Sequence, residues 1–323
     1  MNRFLVTECV DPYENLAIEE LLFDRQGDGA TFYLWQNEHT VVIGRNQNAW
    51  RECRVELLES EGGKLARRSS GGGAVFHDLG NLNFTFLLLR ERYDLPRQLS
   101  VIQKAVATFG IETSYTGRND LVIQETGEKF SGNAFRFTNQ TALHHGTILI
   151  NADFSKLGRY LAPSQLKLES KGVKSVVSRV ANLGQKNPEL TVERMKLALR
   201  DAFEAEYGVA EHLDISSLRG RELDSIRERY ASWDWRFGTT PAFNVSLEHR
   251  LPFGCFELLL NVKNGFIVSS VCYSDAMDET LPGRIESLLA GCEYGTAALC
   301  ERLESSGGEE EEQIADYLKQ QTL

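Results

Sequence analysis

"LARRSSGGGAVFHDLGNLNF", residues 65–84, sets three adjacent glycines between a pair of arginines and an apolar run that reads as a strand. Glycine weakens strands and loses more freedom on folding than any other residue, so three in a row mark a place where bare main chain is needed. The run is no P-loop, because no Gly-Lys-Ser/Thr closes it. Nor is it a dinucleotide fingerprint, because its glycines are contiguous and lead into a strand. Bare backbone lets a ligand lie against the chain with N–H groups turned toward an anion, and Arg67 and Arg68 add planar forks suited to phosphate. A glycine-rich turn flanked by solvated arginines has the same composition.

The surrounding chain has 323 residues, 42% hydrophobic and 25% charged, enough for one large domain or a large one plus a small one. No apolar run approaches the roughly 18 residues of a spanning helix, and the first twenty residues carry Glu8, Asp11, Glu14, Glu19 and Glu20. A cytoplasmic protein with no membrane contact is expected. The six cysteines form no CxxC pair and have no His at metal spacing, so reduced thiols and no zinc site are expected. Of the net charge of −11, residues 247–323 carry −9, from 14 acids against 5 Lys and Arg. That asymmetry predicts two units, divided as 1–244 and 245–323. Neither is basic and no Lys/Arg stripe with interleaved aromatics occurs, which argues against nucleic acid as a partner.

Asp11-Pro12-Tyr13-Glu14 starts a helix that runs to about Arg25. Strands are expected at 31–36, 40–43, 83–89, 121–124, 134–137 and 145–150. Ile102, Ala105, Val106 and Phe109 recur at helical spacing, and a second marked helix begins at Thr191 and ends at Gly208. Between Gly238 and Pro252 the pattern lapses. Beyond it, 256–262 and 266–273 flank Lys263-Asn264-Gly265 as a hairpin, and Gly307 to Glu312 opens a helix with acids at its positive end.

Two more stretches stand out. "EKFSGN" at 128–133 places Lys129 beside a small polar turn, and "GRND" at 117–120 puts an amide and a carboxylate at the mouth of an apolar strand. Taken alone, Lys129 is more often a surface lysine and Asn119-Asp120 more often a turn. His77, His144 and His145 are more often structural histidines than catalysts, and no Ser/His/Asp order or carboxylate pair follows from spacing.

Together these segments resemble the lipoate-protein ligase family of the biotin/lipoate ligase superfamily. "DPYENLAIEE", "TVVIGRNQNAW", "LARRSSGGGAVFHDLGNLNFTF", "GRNDLVI", "EKFSGNAFR", "HHGTILINADFSKLGRYL" and "KGVKSVVSRVANL" occur in the family's order, and "WDWRFGTTPAF" resembles its passage to a small C-terminal domain. The resemblance implies an α+β (α/β) fold: a mixed sheet flanked by helices, like the catalytic domains of class II aminoacyl-tRNA synthetases and biotin ligases, followed by a small α+β C-terminal domain. It implies lipoate activation by ATP with Mg²⁺ to lipoyl-AMP, then transfer of the lipoyl group to a lysine of an acceptor lipoyl domain, an E2 subunit or a glycine cleavage H protein.

On that resemblance Lys129 is the central cation, touching both the acyl oxygen and the α-phosphate. Arg68 would hold phosphate, while Gly73, Ala74, Val75 and Phe76 would line the nucleotide. Gly71 and Gly72 would leave room for the acyl chain, with His77 in the same pocket, and Asp120 would serve Mg²⁺ or the adenine side. The apolar acyl tunnel is expected near Trp35, Val41 and Phe84. Lys167, Lys171, Lys174 and Arg179 read as a basic loop that closes over the adenylate. A thioester-forming octanoyl transferase of the superfamily would need a pocket cysteine, and none occurs between Arg54 and Gly254. A transferase fed with preformed lipoyl-AMP stays open on sequence, while retention of Arg68, the glycines and Lys129 together argues against a non-catalytic lipoyl-domain binder.

Overall fold

Alternation along Asn81–Leu89 divides the molecule's main sheet into two unlike faces. In this strand Leu82, Phe84, Phe86 and Leu88 enter an apolar core, while Asn81, Asn83 and Thr85 point the other way and are equally buried. The structure, a computed structural model, describes residues 1–45, 47, 49–116, 120–161, 180–238, 243–274, 276, 278 and 280–321. The expected closing loop with Lys167, Lys171, Lys174 and Arg179 lies outside the described residues, as does 117–119 of the "GRND" stretch.

The strands are β1 (Asn2–Val6), β2 (Thr31–Trp35), β3 (Thr40–Ile43), β4 (Lys64–Arg67), β5 (Val75–His77), β6 (Asn81–Leu89), β7 (Thr113–Tyr115), β8 (Asp120–Ile123), β9 (Lys129–Phe137), β10 (Thr141–Leu149), β11 (Ala210–His212), β12 (Phe243–Leu251), β13 (Gly254–Lys263) and β14 (Phe266–Ser274). Eight form a mixed sheet in the order β11-β1-β2-β6-β10-β9-β8-β7, parallel at the β11-β1-β2 end and antiparallel elsewhere. A smaller sheet, β4-β3-β5, carries the glycine run in the connection between β4 and β5.

Helices α4 (Leu95–Ala107) and α6 (Val192–Tyr207) cover the apolar face, where Leu99, Ile102, Val106, Met195, Leu199 and Phe203 meet Phe32, Phe84 and Phe86. Their starts follow from sequence, because Asp94 and Thr191 accept from the backbone N–H of Arg97 and Arg194, three residues on. Helix α1 (Pro12–Asp24) is capped by Asp11 on the N–H of Tyr13. From it Asn15 and Glu19 reach the polar face of the large sheet. Short α5 (Phe154–Tyr160) follows β10, and α7 (Arg221–Ala231) packs against α1.

Contacts divide the chain into Met1–Arg45 with Gly62–Ala231, and Asn46–Glu61 with Ser232–Leu323. The expected division at 244/245 falls inside β12, and by contacts helices α2 (Ala49–Glu52) and α3 (Val55–Ser60) group with Ser232–Leu323. There Trp50 stacks on Phe237 with ring centres 4.8 Å apart, a contact between residues too distant in sequence for composition to reveal. That unit is a three-stranded antiparallel sheet, β12-β13-β14, carrying α8 (Leu281–Leu289), α9 (Thr296–Glu304) and α10 (Glu309–Lys319) on a core that includes Leu258, Leu260, Ile285, Leu299 and Ile314. The hairpin turns at Asn264 and Gly265, both with positive φ (53° and 82°), which is the backbone twist a two-residue turn requires. The expected lapse at 238–252 is corrected, since β12 spans much of it and Val245, Leu247 and Leu251 pack toward the core.

Gly146 in β10 tests the packing between the two faces. A Cβ there would lie 2.6 Å from Phe84 Cζ and 2.7 Å from the Gly132 carbonyl oxygen. Gly146→Ala is expected to destabilise the protein by about 1–3 kcal/mol, the usual cost of overpacking, read as a lowered midpoint in urea.

Candidate functional site

Cross-strand register builds the polar face of the large sheet as a grid. One row runs Trp35, Asn83, Thr147, Gly132 across β2, β6, β10 and β9; the next runs Tyr33, Thr85, His145, Ala134. Residues directly opposite in an antiparallel ladder share a face, so each row is a continuous strip of side chains.

Lys129 reaches this face through an irregularity. Leu121 pairs with Ser131 but the next residue, Val122, pairs with Lys129, which makes Phe130 an extra residue on β9. Strict alternation would send Lys129 to the face of Leu121 and the apolar core. The bulge inverts the phase, placing Phe130 in that core and Lys129 beside Asp120, Val122 and Gly132. The Lys129 amine lies 2.9 Å from where a Cβ of Gly132 would stand. Its Nζ is 2.7 Å from Asp120 Oδ1, and both side chains are about one-third exposed. Such a half-open ion pair is worth at most about 1 kcal/mol, so a bound anion can take the amine over from Asp120.

The glycine connection lies over the same face, where a Cβ on Gly72 would stand 3.8 Å from that of Ala134, two residues along β9 from Gly132. Gly72 has φ +92°, which other residues rarely adopt. What holds the connection is Arg68. Its Nη2 donates to the carbonyls of Gly71 (2.7 Å) and Gly73 (2.8 Å), its Nη1 to that of Val42 (3.2 Å), and its Nε to Ser70 Oγ (3.1 Å). Because a trans peptide sets its N–H opposite its C=O, drawing these carbonyls inward turns the N–H groups of Gly72 and Ala74 the other way. Arg68 is buried, and in this structure it organises the loop instead of offering an open fork to phosphate. Burial pushes its guanidinium down to about 10, and does the same for Arg67, which donates to the carbonyls of Gly44 (3.2 Å) and Arg45 (3.1 Å).

Sequence reasoning missed a buried chain that fastens the loop to the sheet. Ser70 Oγ is 2.6 Å from His145 Nε2, His145 Nδ1 is 2.8 Å from Glu19 Oε1, and that oxygen also accepts from Thr85 Oγ1 at 2.6 Å. Thr85 in turn accepts from the Trp35 indole N–H. No spacing announces this set, because helix, loop and two strands meet only through the fold.

The remaining expected residues divide. Val75 and Phe76 pair with β3, and the Phe76 ring turns inward against His39 and Tyr160. Ala74 is half-buried. His77 is buried with its ring edge-on to Trp35. Trp35 lies on the polar face, whereas Phe84 belongs to the opposite, apolar face, because it alternates with Asn83 and Thr85. Val41 is buried in β3. His144 also faces the apolar side, stacked on Phe86. Among the described residues no three His, Cys, Asp or Glu side chains converge as a metal site.

Comparison with known proteins gives a consistent set. Residues 11–204 match the lipoyl protein ligase A/B catalytic domain, and residues 240–318 match the bacterial lipoate protein ligase C-terminus. A lipoate-protein ligase A from Psychrobacter cryohalolentis is 42% identical over 302 residues, covering 90% of this chain and 88% of the relative. Among solved structures, P. falciparum LipL1 in complex with lipoate is similar with a TM-score of 0.66 at 28% identity, over 99% of this chain and 100% of that one. A bipartite lipoate protein ligase of Thermoplasma acidophilum, studied with its E2 lipoyl domain, shares the fold with a TM-score of 0.62 at 24% identity, over 73% of this chain and 95% of that one.

Burial lowers His77 and His144 from 6.5 to about 3, so both stay neutral when folded and take up protons when unfolded below about 6.5. The unfolded state then binds more protons, and stability falls as pH drops from 6.5 toward 3. Each histidine contributes about 1.4 kcal/mol per pH unit to that fall. Urea unfolding at pH 7, 6 and 5 should give a shallower slope for His144→Gln than for the parent by that amount.

Proposed function

The chain belongs to the lipoate-protein ligase family, and from that membership and the polar face of its sheet we propose that it activates lipoate with ATP and passes the lipoyl group to a lysine of an acceptor lipoyl domain. The observation that carries this reading is the convergence of Lys129 with the bare main chain of Gly71–Gly73 on one sheet face.

In the first step a carboxylate oxygen of lipoate attacks the α-phosphorus of ATP, the bond to the β-phosphate bridge breaks, and pyrophosphate leaves. In the second, an acceptor lysine amine attacks the acyl carbon, the acyl–phosphate bond breaks, the amine gives up a proton and AMP leaves. Both steps gather negative charge on fixed oxygens, so preorganised donors matter most. Lys129 supplies a compact point charge that swings from Asp120 to the ligand. The outward N–H groups of Gly72 and Ala74 supply neutral donors, and their orientation by Arg68 costs nothing at the moment of reaction. Residues 73–76 offer main chain to the nucleotide. Arg67 and Arg68, desolvated near the loop, favour an anion in their surroundings.

Mg²⁺ binds through one or two carboxylates plus substrate phosphates, and Asp120 is the carboxylate at hand once Lys129 turns to the ligand. Such an ion would shield the pyrophosphate leaving group. The acceptor is proposed to be an E2 lipoyl domain or a glycine cleavage H protein; the T. acidophilum ligase has an E2 lipoyl domain of its own. A reducing, cytoplasmic setting suits the free thiols of Cys9, Cys53, Cys292 and Cys300. Among the described residues no helix is long and apolar enough to cross a membrane.

Loss of two charge-assisted hydrogen bonds at about 1.5–3 kcal/mol each sets the scale for Lys129→Ala. Lipoate-dependent pyrophosphate release is expected to fall at least about a hundredfold with unfolding unchanged. A folded variant that still releases pyrophosphate at the parent rate would overturn the reading.

A further inference from the structure

Beneath the expected acyl pocket a chain of hydrogen bonds fixes one proton. Tyr33 Oη donates to Asn15 Oδ1 (3.0 Å), which turns the Asn15 amide nitrogen to Asn37 Oδ1 (3.0 Å) as well as to the carbonyls of Cys9 and Gln36. With its oxygen so committed, Asn37 presents Nδ2 to His77 Nδ1 at 3.2 Å. An amide nitrogen only donates, so Nδ1 of His77 must accept, and a neutral imidazole then carries its proton on Nε2. The ring is 97% buried, being 3% exposed, and its Nε2 has no hydrogen-bond partner among the described residues. A buried donor left unmade is costly.

His77 stands beside the Trp35 end of the row whose other end, Gly132, lies against the Lys129 amine. Its ring is 6.3 Å from that of Trp35, which opens the row Trp35, Asn83, Thr147, Gly132. Three strand spacings of about 4.8 Å put roughly 14 Å between the two ends, the order of length of an extended acyl chain with its head at Lys129. Trp35 Nε1 is taken by Thr85, so that indole offers nothing further. Asn81 and Asn83 bond to each other at 2.9 Å, and in either orientation of the two amides one donor and one acceptor remain without a partner among the described residues. The far end of the row is thus polar, although an alkyl tail would want it apolar.

Resting on the ligase reading above, we propose that the Nε2–H of His77, its tautomer locked by Asn37, Asn15 and Tyr33, donates to a ring sulfur at the tail of the acyl substrate and makes the site select a sulfur-tipped acid over a plain alkyl acid of equal length. Sulfur is a weak acceptor, yet it satisfies a donor that a methyl group leaves bare. A site holding a buried donor rejects an analogue that lacks the acceptor.

Pyrophosphate release with lipoate and with octanoate tests this on the full-length protein, with ¹⁵N NMR of histidine-labelled protein reporting the tautomer. The parent should prefer lipoate in kcat/KM, and His77→Leu should lower the lipoate-to-octanoate ratio about tenfold. His77→Gln, which keeps an N–H at the ring's position, should restore part of the ratio. Asn37→Asp should move the proton toward Nδ1 in the spectrum and lower the ratio in step. An active parent whose ratio is untouched by His77→Leu, or a spectrum with the proton on Nδ1, overturns the proposal. A parent that activates neither acid overturns the ligase reading, and this one with it.

Discussion

The clasp of the Arg68 guanidinium on the carbonyls of Val42, Gly71 and Gly73 is the constraint on which the rest depends. Three glycines in sequence would otherwise sample many conformations, and no ligand could rely on their N–H groups. A lysine could not replace this residue, because a single ammonium lacks the fork that bridges separate carbonyls. Burying this cation is costly and lowers its proton affinity, an effect that the nearby Glu19 carboxylate only partly offsets. The same desolvation makes the surroundings attractive to anions, so the loop's rigidity and its electrostatic purpose have one source.

Much of this was legible in the residues. Asp11 and Thr191 marked helix starts at the positions observed, and the hairpin at Asn264-Gly265 needed only its turn chemistry. The glycine run and Lys129 left a ligand site and an ordinary turn both open, and the resemblance decided between them. What stayed hidden required the third dimension. Lys129 faces the polar side through a bulge that no local propensity signals, and Phe84 was misplaced for want of the strand's phase. Arg68 read as a phosphate ligand because its partners are backbone carbonyls, which carry no sequence signature. The Glu19–His145–Ser70 chain joins three elements spread over 126 residues of sequence. The period-two pattern of β12 was present in Val245, Leu247 and Leu251, but the stretch was passed over.

Two polar systems share the buried face and differ in kind. Around Lys129 and Asp120 the groups are charged, half-exposed and exchangeable. Around Tyr33, Asn15, Asn37 and His77 they are neutral, buried and fully directional. The first suits a step in which charge appears and moves. The second suits discrimination, since neutral donors in fixed positions do not adjust to a mismatched guest.

The extra residue at Phe130 makes the site a matter of parity. A chain one residue longer at that point, with the same single bulge, would keep its pairing with β10 from Asn133 onward and would still form the sheet, yet the ammonium would be set opposite Ile123 on the apolar face. Length at a single position, rather than identity at many, therefore separates a working member of such a lineage from a folded but silent one.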